Sequence, residues 1–381
     1  MQTEPGTDLR QPLRIAQMCT DFGMGGIARH ALDLSDWLKG QGHDIFLAGS
    51  PGDWANEQLS DRFLSVPTRG VAADGGSVLR RLANAGRGAR SLRRWLRESN
   101  IDAIHAHESA PALVALLARI GLKIPLVVTY HGSDPDRIRG FGAIARHADL
   151  IVTPSHRAAE DLVAVGGISK HKLRVIGLGI KPPPADRPED VAALRDHLLR
   201  GGTRLVVTIA RVAHQKGIDI LIDCVERLKD SHPEYRFVVV GDGPLDREMQ
   251  VLATDRGLDC HLQFVGRTDV PYRFLRAADL MLLTSRWEAL PISIAESLQT
   301  GTPIVATDCS GVHELVDDTV GACVPIGDVA AITQAVTAVL EDDAKRAAMA
   351  ANALQRSKAS RFDPDHINRQ IESLYLGLQG R

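Results

Sequence analysis

Short apolar runs alternate with longer amphipathic segments along most of this chain. The apolar runs at residues 13–18, 126–129 and 205–210 have no alternating polar face, which is typical of buried strands in a parallel sheet. Residues 26–39 and 218–228 carry apolar side chains at helical spacing, which predicts amphipathic helices between the strands. This alternation predicts an α/β protein built on parallel sheets.

The alternation falls into two blocks separated by a proline-rich segment. The first block has further predicted strands at residues 44–48 and 103–105, and the second block repeats the same rhythm. Between them, residues 181–188 contain four prolines, which excludes a regular helix or a central strand there. The sequence therefore predicts two domains, residues 1–182 and 189–361, with a cleft beside the linker.

Composition narrows the classes of function. The chain has 381 residues, more than one hydrophobic core usually supports, and its net charge of −2 lacks the basic excess of a nucleic-acid binder. The five cysteines are scattered without paired spacing, so we expect reduced thiols rather than disulfides or a zinc site. No apolar run approaches the roughly 18 residues that cross a bilayer, and residues 1–11 lack the apolar core of a secretory signal. We expect a cytoplasmic protein that touches a membrane, if at all, from one face.

Two glutamates flank a predicted helix start in the second block. An apolar run at residues 279–283 predicts a strand, Pro291 suits the first position of the following helix, and Gly301 can end it. Glu288 then lies on the connecting loop and Glu296 inside the helix. A helix start attracts phosphate, and each carboxylate can accept hydrogen bonds from a diol, one on a sugar and one on a ribose. The arrangement suits a nucleotide-sugar, and two solvated surface glutamates are the alternative.

Two cations follow the predicted strand at residues 205–210. Arg211 comes directly after the strand and Lys216 precedes the next helix, which places both at the edge where open α/β sheets bind ligands. A guanidinium and an ammonium held there can neutralise the charge that develops on a diphosphate leaving group without a metal ion. Solvated surface charges are the alternative interpretation.

The first domain has candidates at the ends of its own strands. Gly25 and Gly26 lie between the first strand and the first helix, where a backbone without side chains can approach a phosphate. His131 follows the strand at residues 126–129 and can donate a hydrogen bond to a sugar hydroxyl or a developing oxyanion. A tightly packed turn and a structural histidine are the alternatives.

Three further motifs imitate metal or cofactor sites. His105 and His107 point the same way on an extended chain, but spacing supplies no third ligand, so we expect a structural or acceptor-site role. Asp134 and Asp136 flank a proline, which argues against a divalent-cation site. The turn at residues 240–244 lacks the third glycine of a dinucleotide fingerprint. We therefore expect neither a bound metal nor a cofactor.

The segments at residues 284–296 and 300–306 resemble the signature of the retaining GT-B glycosyltransferases of family four. In that signature Glu, seven residues and Glu precede a helix that ends in Gly-Thr-Pro. The resemblance spans nearly the whole chain, and the other matching elements are Gly25-Gly26, His131-Gly132, Thr153-Pro154-Ser155, Arg211 with Lys216-Gly217, and Gly241-Asp242-Gly243-Pro244. It implies two Rossmann-like domains facing a central cleft, with residues 362–381 forming a terminal helix that crosses back to the first domain.

The resemblance also implies a role for each matching residue. The diphosphate departs toward Arg211 and Lys216, Glu288 orients the donor sugar, Glu296 holds the ribose, and His131 lies near the sugar and the acceptor. The donor-binding residues implied are Gly25, Gly26, Arg211, Lys216, Arg267, Glu288, Ala289, Leu290, Pro291 and Glu296. The sequence departs from the family at one turn, where Gly177 and Leu178 replace the usual Pro and Asn.

The activity implied is transfer of a sugar from a nucleotide-diphosphate sugar to a hydroxyl, with retention and without a metal. The second domain then binds the donor and the first binds the acceptor, which we expect to be a cell-envelope glycan or a lipid-linked saccharide. A uridine-linked donor is expected ahead of GDP-mannose. A GT-B nucleotide-sugar epimerase and a non-catalytic nucleotide-sugar binding protein are the alternatives. Transfer only in the presence of an acceptor would exclude the first, and donor turnover would exclude the second.

The most basic segment of the chain is a predicted helix at residues 78–98. Its apolar positions are Leu82, Ala85, Ala89, Leu92 and Leu96. Its arginine stripe consists of Arg87, Arg90, Arg94 and Arg97, joined by Arg80, Arg81 and Arg93. Either the arginines are merely solvated, or they attract anionic lipid headgroups in a peripheral membrane contact.

Overall fold

Two parallel sheets flanked by helices face each other across a central cleft. The computed structural model describes residues 11–23, 25–56, 58, 60–72, 76–132, 135–177, 179–288 and 290–379. Within these residues each sheet and its helices form a Rossmann-like half. The predicted fold class, α/β with two such halves, is confirmed.

The first sheet has seven strands within the described residues. They are β1 (Arg14–Asp21), β2 (Asp44–Ser50), β3 (Phe63–Ser65), β4 (Ala103–His107), β5 (Leu126–Thr129), β6 (Leu150–Thr153) and β7 (Leu173–Val175). Their order across the sheet is β3-β2-β1-β4-β5-β6-β7, and every recorded pairing is parallel. The helices are α1 (Gly26–Gly40), α2 (Val78–Glu98), α3 (Ser109–Ala118), α4 (Ile138–Ala145) and α5 (His156–Ala164).

The second sheet has six strands within the described part of the chain. They are β8 (Arg204–Ile209), β9 (Tyr235–Val240), β10 (Leu262–Gly266), β11 (Leu280–Leu283), β12 (Ile304–Thr307) and β13 (Gly321–Val324), in the order β10-β9-β8-β11-β12-β13. The helices that follow the linker are α6 (Pro188–Leu199), α7 (Ile218–Leu228), α8 (Asp246–Asp255), α9 (Pro271–Ala277), α10 (Ile292–Thr300), α11 (Val329–Leu340), α12 (Asp343–Arg356) and α13 (Pro364–Gln379).

The strand orders determine where each half can bind a ligand. The direction of winding reverses between β1 and β4 in the first sheet and between β8 and β11 in the second. Open parallel sheets bind ligands in the crevice outside the carboxyl ends of the strands at such a switch point. The buried apolar side chains on both faces, such as Val127 and Val207, leave these strand ends as the accessible polar edge.

The linker is attached to the second half by a buried carboxylate. Asp186 accepts a hydrogen bond from Arg273 Nε at 2.7 Å and also pairs with Arg276, both on α9. Hydrogen bonds from these guanidinium groups outweigh burial and hold the pKa of Asp186 below its usual value. Pro188 lies inside the predicted linker but is the first residue of α6, a position where a missing N–H costs nothing.

The last helix, α13, returns to the first half as expected. Its buried residues Ile367, Ile371 and Tyr375 pack in one cluster with Leu34 and Leu38 of α1. Burying each such side chain stabilises the fold by roughly 1.5–3 kcal/mol. This contact ties the end of the described chain to the first Rossmann-like half.

The segment before α13 also explains Gly177, the residue that departs from the family turn. A Cβ at Gly177 would clash with the backbone carbonyl of Arg361. Glycine is therefore required for the two backbones to approach. Leu178, the other residue of that departure, lies outside the described residues.

Most predicted elements have shifted boundaries rather than a different type. The strand predicted at residues 13–18 extends to Asp21, and the one predicted at 103–105 extends to His107. Pro291 precedes α10 as its N-cap, so the helix begins one residue later than predicted. Within the described ranges, no helix combines the length and apolar character needed to cross a bilayer.

Candidate active site

Two loops of the second half are held together at the carboxyl edge of its sheet. Thr284 directly follows β11, and its hydroxyl donates to the carbonyl of Gly217 at 2.9 Å. The backbone N–H of Arg286 donates to the carbonyl of Gln215 at 2.7 Å. Gly217 has a φ of +62°, and a Cβ there would clash with the Thr284 carbonyl. Glycine at this position therefore lets the loop after β8 lie against the loop after β11.

An ion pair joins the two loops at the cleft. The Lys216 ammonium donates to Glu288 Oε1, and the Ser285 hydroxyl donates to the same oxygen at 2.7 Å. The Glu288 side chain is only 7% exposed and that of Lys216 19% exposed, so solvent screens this pair weakly. Lys216 and Glu288, two separate candidates from the sequence, are thus in direct contact. Their spacing in the sequence did not indicate this contact.

Arg211 differs from Lys216 in its surroundings. It follows β8, is exposed, and has no hydrogen-bond or ion-pair partner recorded in the described part of the chain. An unpaired guanidinium at a switch point is available to an anion without first breaking an internal contact.

The loop after Glu288 continues into the N-terminus of α10. Leu290 has an apolar side chain buried in the hydrophobic core, and Pro291 has no backbone N–H, so neither of these two groups donates a hydrogen bond to a ligand. Ile292 and Ser293 are the first residues of the helix, where N–H groups have no preceding helical carbonyl. Ala289, also expected to bind the donor, lies outside the described residues.

The glycine turn of the first half lies against this helix start. Gly25 is the N-cap of α1, and Gly26 is its first residue. A Cβ added at Gly26 would lie 3.0 Å from Cδ1 of Ile292, the first residue of α10. The N-termini of two helices therefore meet across the cleft, and both present positive dipole ends. An anion is the ligand that such a junction favours.

Glu296 lies one turn inside α10 and interacts with the first half. Burial raises the pKa of Glu296 to about 7, and the positive charge of Arg29 on α1 opposes that shift. Arg29 itself pairs with Asp33 at 3.4 Å. The Glu296 carboxyl group thus has a pKa of about 7 at the junction of the two halves. Sequence spacing did not reveal this property.

His131 belongs to a hydrogen-bonded chain that begins on α13. The Gln17 amide of β1 donates to the Tyr375 hydroxyl at 3.3 Å and accepts from His107 Nε2 at 3.0 Å. His107 Nδ1 lies 2.9 Å from His131 Nε2. The backbone N–H of His131 donates to Glu108 Oε1 at 2.6 Å. Side chains from β1, β4 and α13 therefore hold the His131 imidazole, and the Gln17–Tyr375 contact joins residues 358 positions apart.

This chain assigns the tautomers of both histidines. Because the Gln17 oxygen can only accept, His107 carries its proton on Nε2 and its Nδ1 is an acceptor. His131 Nε2 must then donate, so the neutral ring keeps its lone pair on Nδ1. Burial, reinforced by the neighbouring imidazoles, holds the pKa of His131 well below its usual value. His131 therefore offers an acceptor, whereas the sequence was interpreted as offering a donor.

The neighbouring histidines have different partners. His105 Nδ1 lies 2.6 Å from the Tyr375 hydroxyl and its Nε2 lies 2.6 Å from Thr129 Oγ1, which supports the structural role expected for it. His30 of α1 supplies the third imidazole that spacing did not, because its ligand atom and those of His107 and His131 lie within 4.8 Å of one another. Burial lowers the pKa of His30 to about 4. The group is a cluster of neutral rings at pH 7.

Arg267, the turn at residues 240–244 and Asp134 are the remaining candidates from the sequence. Arg267 follows β10 at the far edge of the sheet, with its Nε 3.9 Å from Asp242 Oδ2. Gly241 has a φ of +139°, and a Cβ there would clash with the carbonyl of Ala210. The turn at residues 240–244 thus needs glycine for packing against the loop that carries Arg211. Asp134 lies outside the described residues, which leaves the Asp134–Asp136 pair undescribed.

Helix α2 has the bounds predicted, but its faces differ in part. Arg87, Arg90, Arg94 and Arg97 are exposed, as the stripe predicted. Leu82 was assigned to the buried face but is 59% exposed, because that face runs through Ala85, Gly88, Ala89, Leu92 and Leu96. Arg81 and Arg93 donate to the carbonyls of Val71 and Ala118, which draws them away from the stripe.

Comparisons with known proteins give matches in both halves of the chain. Residues 24–182 match the family model described as Glycosyltransferase Family 4, and residues 192–356 match the model described as Glycosyl transferases group 1. A phosphatidyl-myo-inositol mannosyltransferase of Mycolicibacterium smegmatis is 27% identical over 381 residues, covering 97% of this chain and 95% of that protein. The lipopolysaccharide core biosynthesis mannosyltransferase LpsB of Rhizobium meliloti is 29% identical over 72% of this chain and 79% of its own length.

Solved structures give the same fold. The Anabaena protein HepE in complex with UDP-glucose superimposes with a TM-score of 0.80, covering 96% of this chain and 100% of that chain at 21% identity. A glycosyltransferase from Rickettsia africae superimposes with a TM-score of 0.79, covering 97% and 99% of the two chains at 18% identity.

Proposed function

Because this chain belongs to the family-four glycosyltransferases of GT-B fold and acts on sugar donors, we propose that it transfers a hexose from a nucleotide-diphosphate sugar to a hydroxyl, with retention. The observation that carries the proposal is the meeting of two helix N-termini next to the loop that holds the Lys216–Glu288 pair, at the sheet edge where Arg211 follows β8. The helix N-termini and the two cations stabilise negative charge, as a departing diphosphate requires.

Lys216 and Glu288 are paired with each other in this structure, so we expect donor binding to separate the two groups. When a diphosphate accepts from Lys216, the Glu288 carboxylate is released to accept hydrogen bonds from the donor sugar. Ser285 still donates to Glu288 Oε1 and keeps the carboxylate in place. The neutral His131 Nδ1 accepts from a further hydroxyl of the sugar or the acceptor. Glu296, at the start of α10, accepts from the ribose.

The chemical step needs no protein nucleophile. The acceptor oxygen attacks the anomeric carbon from the side of the leaving group, the bond from that carbon to the phosphate oxygen breaks, and the acceptor proton passes to the departing oxygen. Two cations and two helix dipoles stabilise the diphosphate, which supports metal-independent transfer. We expect full activity in EDTA and a product with the donor's anomeric configuration. Activity restored only by added manganese or zinc, or an inverted linkage, contradicts this mechanism.

Mannose is the first donor sugar to test. The two curated relatives are named as mannosyltransferases. The sequence analysis favoured a uridine-linked donor ahead of GDP-mannose, and that order stays a prediction. A panel of UDP- and GDP-linked hexoses ranked by thermal shift identifies the donor, because a ligand that binds only the folded state raises its stability. Turnover of the best binder then separates an enzyme from a non-catalytic binding protein.

The exposed surface of α2 favours an acceptor that is held at a membrane. Val78 and Leu79 are 66% and 81% exposed at the start of this helix, beside the exposed Leu82 and Arg80. Exposed apolar side chains next to cations are typical of helices that lie in a lipid interface, where each cation contributes on the order of 1 kcal/mol.

Liposome co-sedimentation tests the membrane contact. The variant carries Glu at Arg87, Arg90, Arg94 and Arg97, and the matched control carries Glu at Arg247, Arg369, Lys345 and Lys358. We expect binding of wild type and control to anionic vesicles at low salt and loss of binding in the α2 variant. Equal binding of all three proteins shows that α2 does not make the contact, and absence of binding in all three leaves a soluble acceptor.

A further inference from the structure

The donor groups follow one another in space along the carboxyl edge of the second sheet. Across the order β10-β9-β8-β11-β12-β13, Arg267 follows β10, Arg211 follows β8, and Glu288 follows β11. In the proposed function these positions hold the base, the diphosphate and the sugar. The strands beyond the sugar position in this order are β12 and β13, so their loops border the space next to the sugar.

The first sheet gives the same direction. Gly26 follows β1 and His131 follows β5. In the proposed function they lie beside the diphosphate and the sugar. The next strand in the order is β6, which leads into α5 with Arg157 and Asp161. Both sheets therefore point to the space between α5 and the loop after β12.

A cavity of about 300 Å³ lies in that space. Its polar walls are Arg157 and Asp161 of the first half, and Asp308 and Ser310 of the second, with Glu288 and Trp287 on the side of the donor. This volume is at the lower end of the range of roughly 300–1,000 Å³ typical of small-molecule sites, so it suits one ring rather than a long chain. Arg211, Lys216 and Glu296 do not line it.

The backbone at this wall is held in an unusual conformation. Ser310 has a φ of +46°, a region that non-glycine residues adopt at a cost of about 1 kcal/mol or more. Such conformations cluster at ligand-binding sites. The exposed apolar residues Val165 and Ile326, 42% and 47% exposed, also line the cavity and can cover the C–H face of a ring.

The charged side chains that line the cavity indicate which kind of ring it can bind. Arg157 lies 3.4 Å from Asp161, and the Arg286 guanidinium donates to Asp219 at 2.9 Å, so both cations are already compensated. Asp308 adds a carboxylate at the same wall. Alternating donors and acceptors beside an indole suit a polyol with an apolar face, whereas an anionic group would meet no uncompensated cation among the described lining residues.

We propose that this cavity is the acceptor subsite and binds one uncharged sugar or cyclitol ring, with the attacking hydroxyl directed toward Glu288. The inference rests on the proposed function, because it needs the donor sugar at Glu288. It adds Arg157, Asp161, Asp308 and Trp287 as residues that determine acceptor specificity.

Saturation-transfer NMR on the full chain tests the subsite with defined probes. The probes are methyl α-mannoside, methyl α-glucoside, methyl α-galactoside and myo-inositol, with mannose 6-phosphate as the charged counterpart. We expect signal from at least one neutral ring and a weaker signal from the phosphate. Absence of signal from every neutral ring, or preference for the phosphate, overturns the proposal.

Matched variants assign the signal to the cavity. Arg157→Ala with Asp308→Asn should weaken the ring signal by about fivefold or more, since each lost hydrogen bond contributes roughly 1 kcal/mol. Arg369→Ala with Asp318→Asn changes the same residue types on exposed positions outside the cavity and should leave the signal intact. Equal signals in both double variants place the ring elsewhere.

The donor site is measured separately in the same proteins. Thermal shift with UDP and with GDP should be unchanged in the cavity variant, because its substitutions spare the diphosphate groups. Failure of both nucleotides to stabilise the wild type counts against the proposed function, whereas loss of ring binding alone counts only against the subsite.

Discussion

The two walls of the cleft carry opposite kinds of polar chemistry. The second half presents charge: an exposed Arg211, a Lys216–Glu288 pair and a carboxyl group, Glu296, poised near neutrality. The first half presents neutral imidazoles, among them His107 and His131, whose pKa values burial holds below the usual range. In the proposed function, this difference lets one wall stabilise the charge of a leaving group while the other orients hydroxyls without competing for phosphate.

The charged wall should give the largest effect. We expect Lys216→Ala and Arg211→Ala each to lower kcat by about a hundredfold or more, because an unpaired charge-assisted contact costs roughly 2–5 kcal/mol. Lys345→Ala serves as the control, since Lys345 is exposed on α12 beside Asp343, which pairs with Arg204 at the opposite edge of the sheet. Steady-state kinetics with the identified donor make the measurement. Near-normal kcat in either cleft variant removes the diphosphate assignment.

The two carboxyl groups of the charged wall should separate in kinetics. Glu296→Gln should raise the donor KM by about tenfold with little change in kcat, because one hydrogen bond to a charged acceptor contributes roughly 1.5–3 kcal/mol. Glu288→Gln should lower kcat instead, since Glu288 orients the reacting sugar. Equal insensitivity of both variants would refute the assigned roles.

The neutral wall should give a smaller effect through orientation. Tyr375→Phe removes the hydroxyl that fixes Gln17 and should lower kcat by about fivefold, the effect of one hydrogen bond of roughly 1 kcal/mol. Tyr235→Phe is the control, because the Tyr235 hydroxyl is buried with no hydrogen-bond partner within the described residues. ¹⁵N NMR should show His131 unprotonated at Nδ1 in wild type and a mixture of tautomers in Tyr375→Phe. A single unchanged tautomer in that variant would show that α13 does not position His131.

The last effect appears in stability rather than in kcat, as a pH dependence of the free energy of unfolding. The pKa of Glu296 is about 7 in the folded chain and 4.5 ordinarily, so the folded state holds the extra proton between these pH values. The free energy of unfolding therefore falls as pH rises through that window, by at most about 1.4 kcal/mol per pH unit. Glu296→Gln has no such proton, so the Tm of wild type should fall relative to this variant from pH 4.5 to 7. Parallel Tm curves would contradict the raised pKa.

Local sequence predicted most of the fold because the apolar residues of each strand and helix recur with the period of that element. The strand at Leu126–Thr129 and the helices at Ile218–Leu228 and Val78–Glu98 have the bounds predicted, since their apolar patterns end at turn residues. Boundaries moved where backbone pairing overrides pattern, as at β1, which continues past Met18 through the polar Asp21.

The site was predictable only where its residues follow strand ends. Arg211, Lys216, Glu288 and His131 do so, and the fold brings them to the two facing edges. Gln17 gave one local signal, a polar side chain inside an apolar strand, but its partner Tyr375 lies 358 residues away. No local period records such a contact, nor the approach of Gly26 to Ile292, because both depend on how the two halves pack.

The contact between Tyr375 and Gln17 also has a consequence for how the chain is made. All seven strands of the first sheet have left the ribosome long before Tyr375 is synthesised, so that sheet can form while its row of histidines still lacks its outer anchor. A nascent first domain would lack both this anchor and the apolar packing of α13, so its imidazoles would not be held in the orientation described above. We therefore expect the chain to become competent for transfer only after α13, which follows the second domain, has been made and has packed on the first domain.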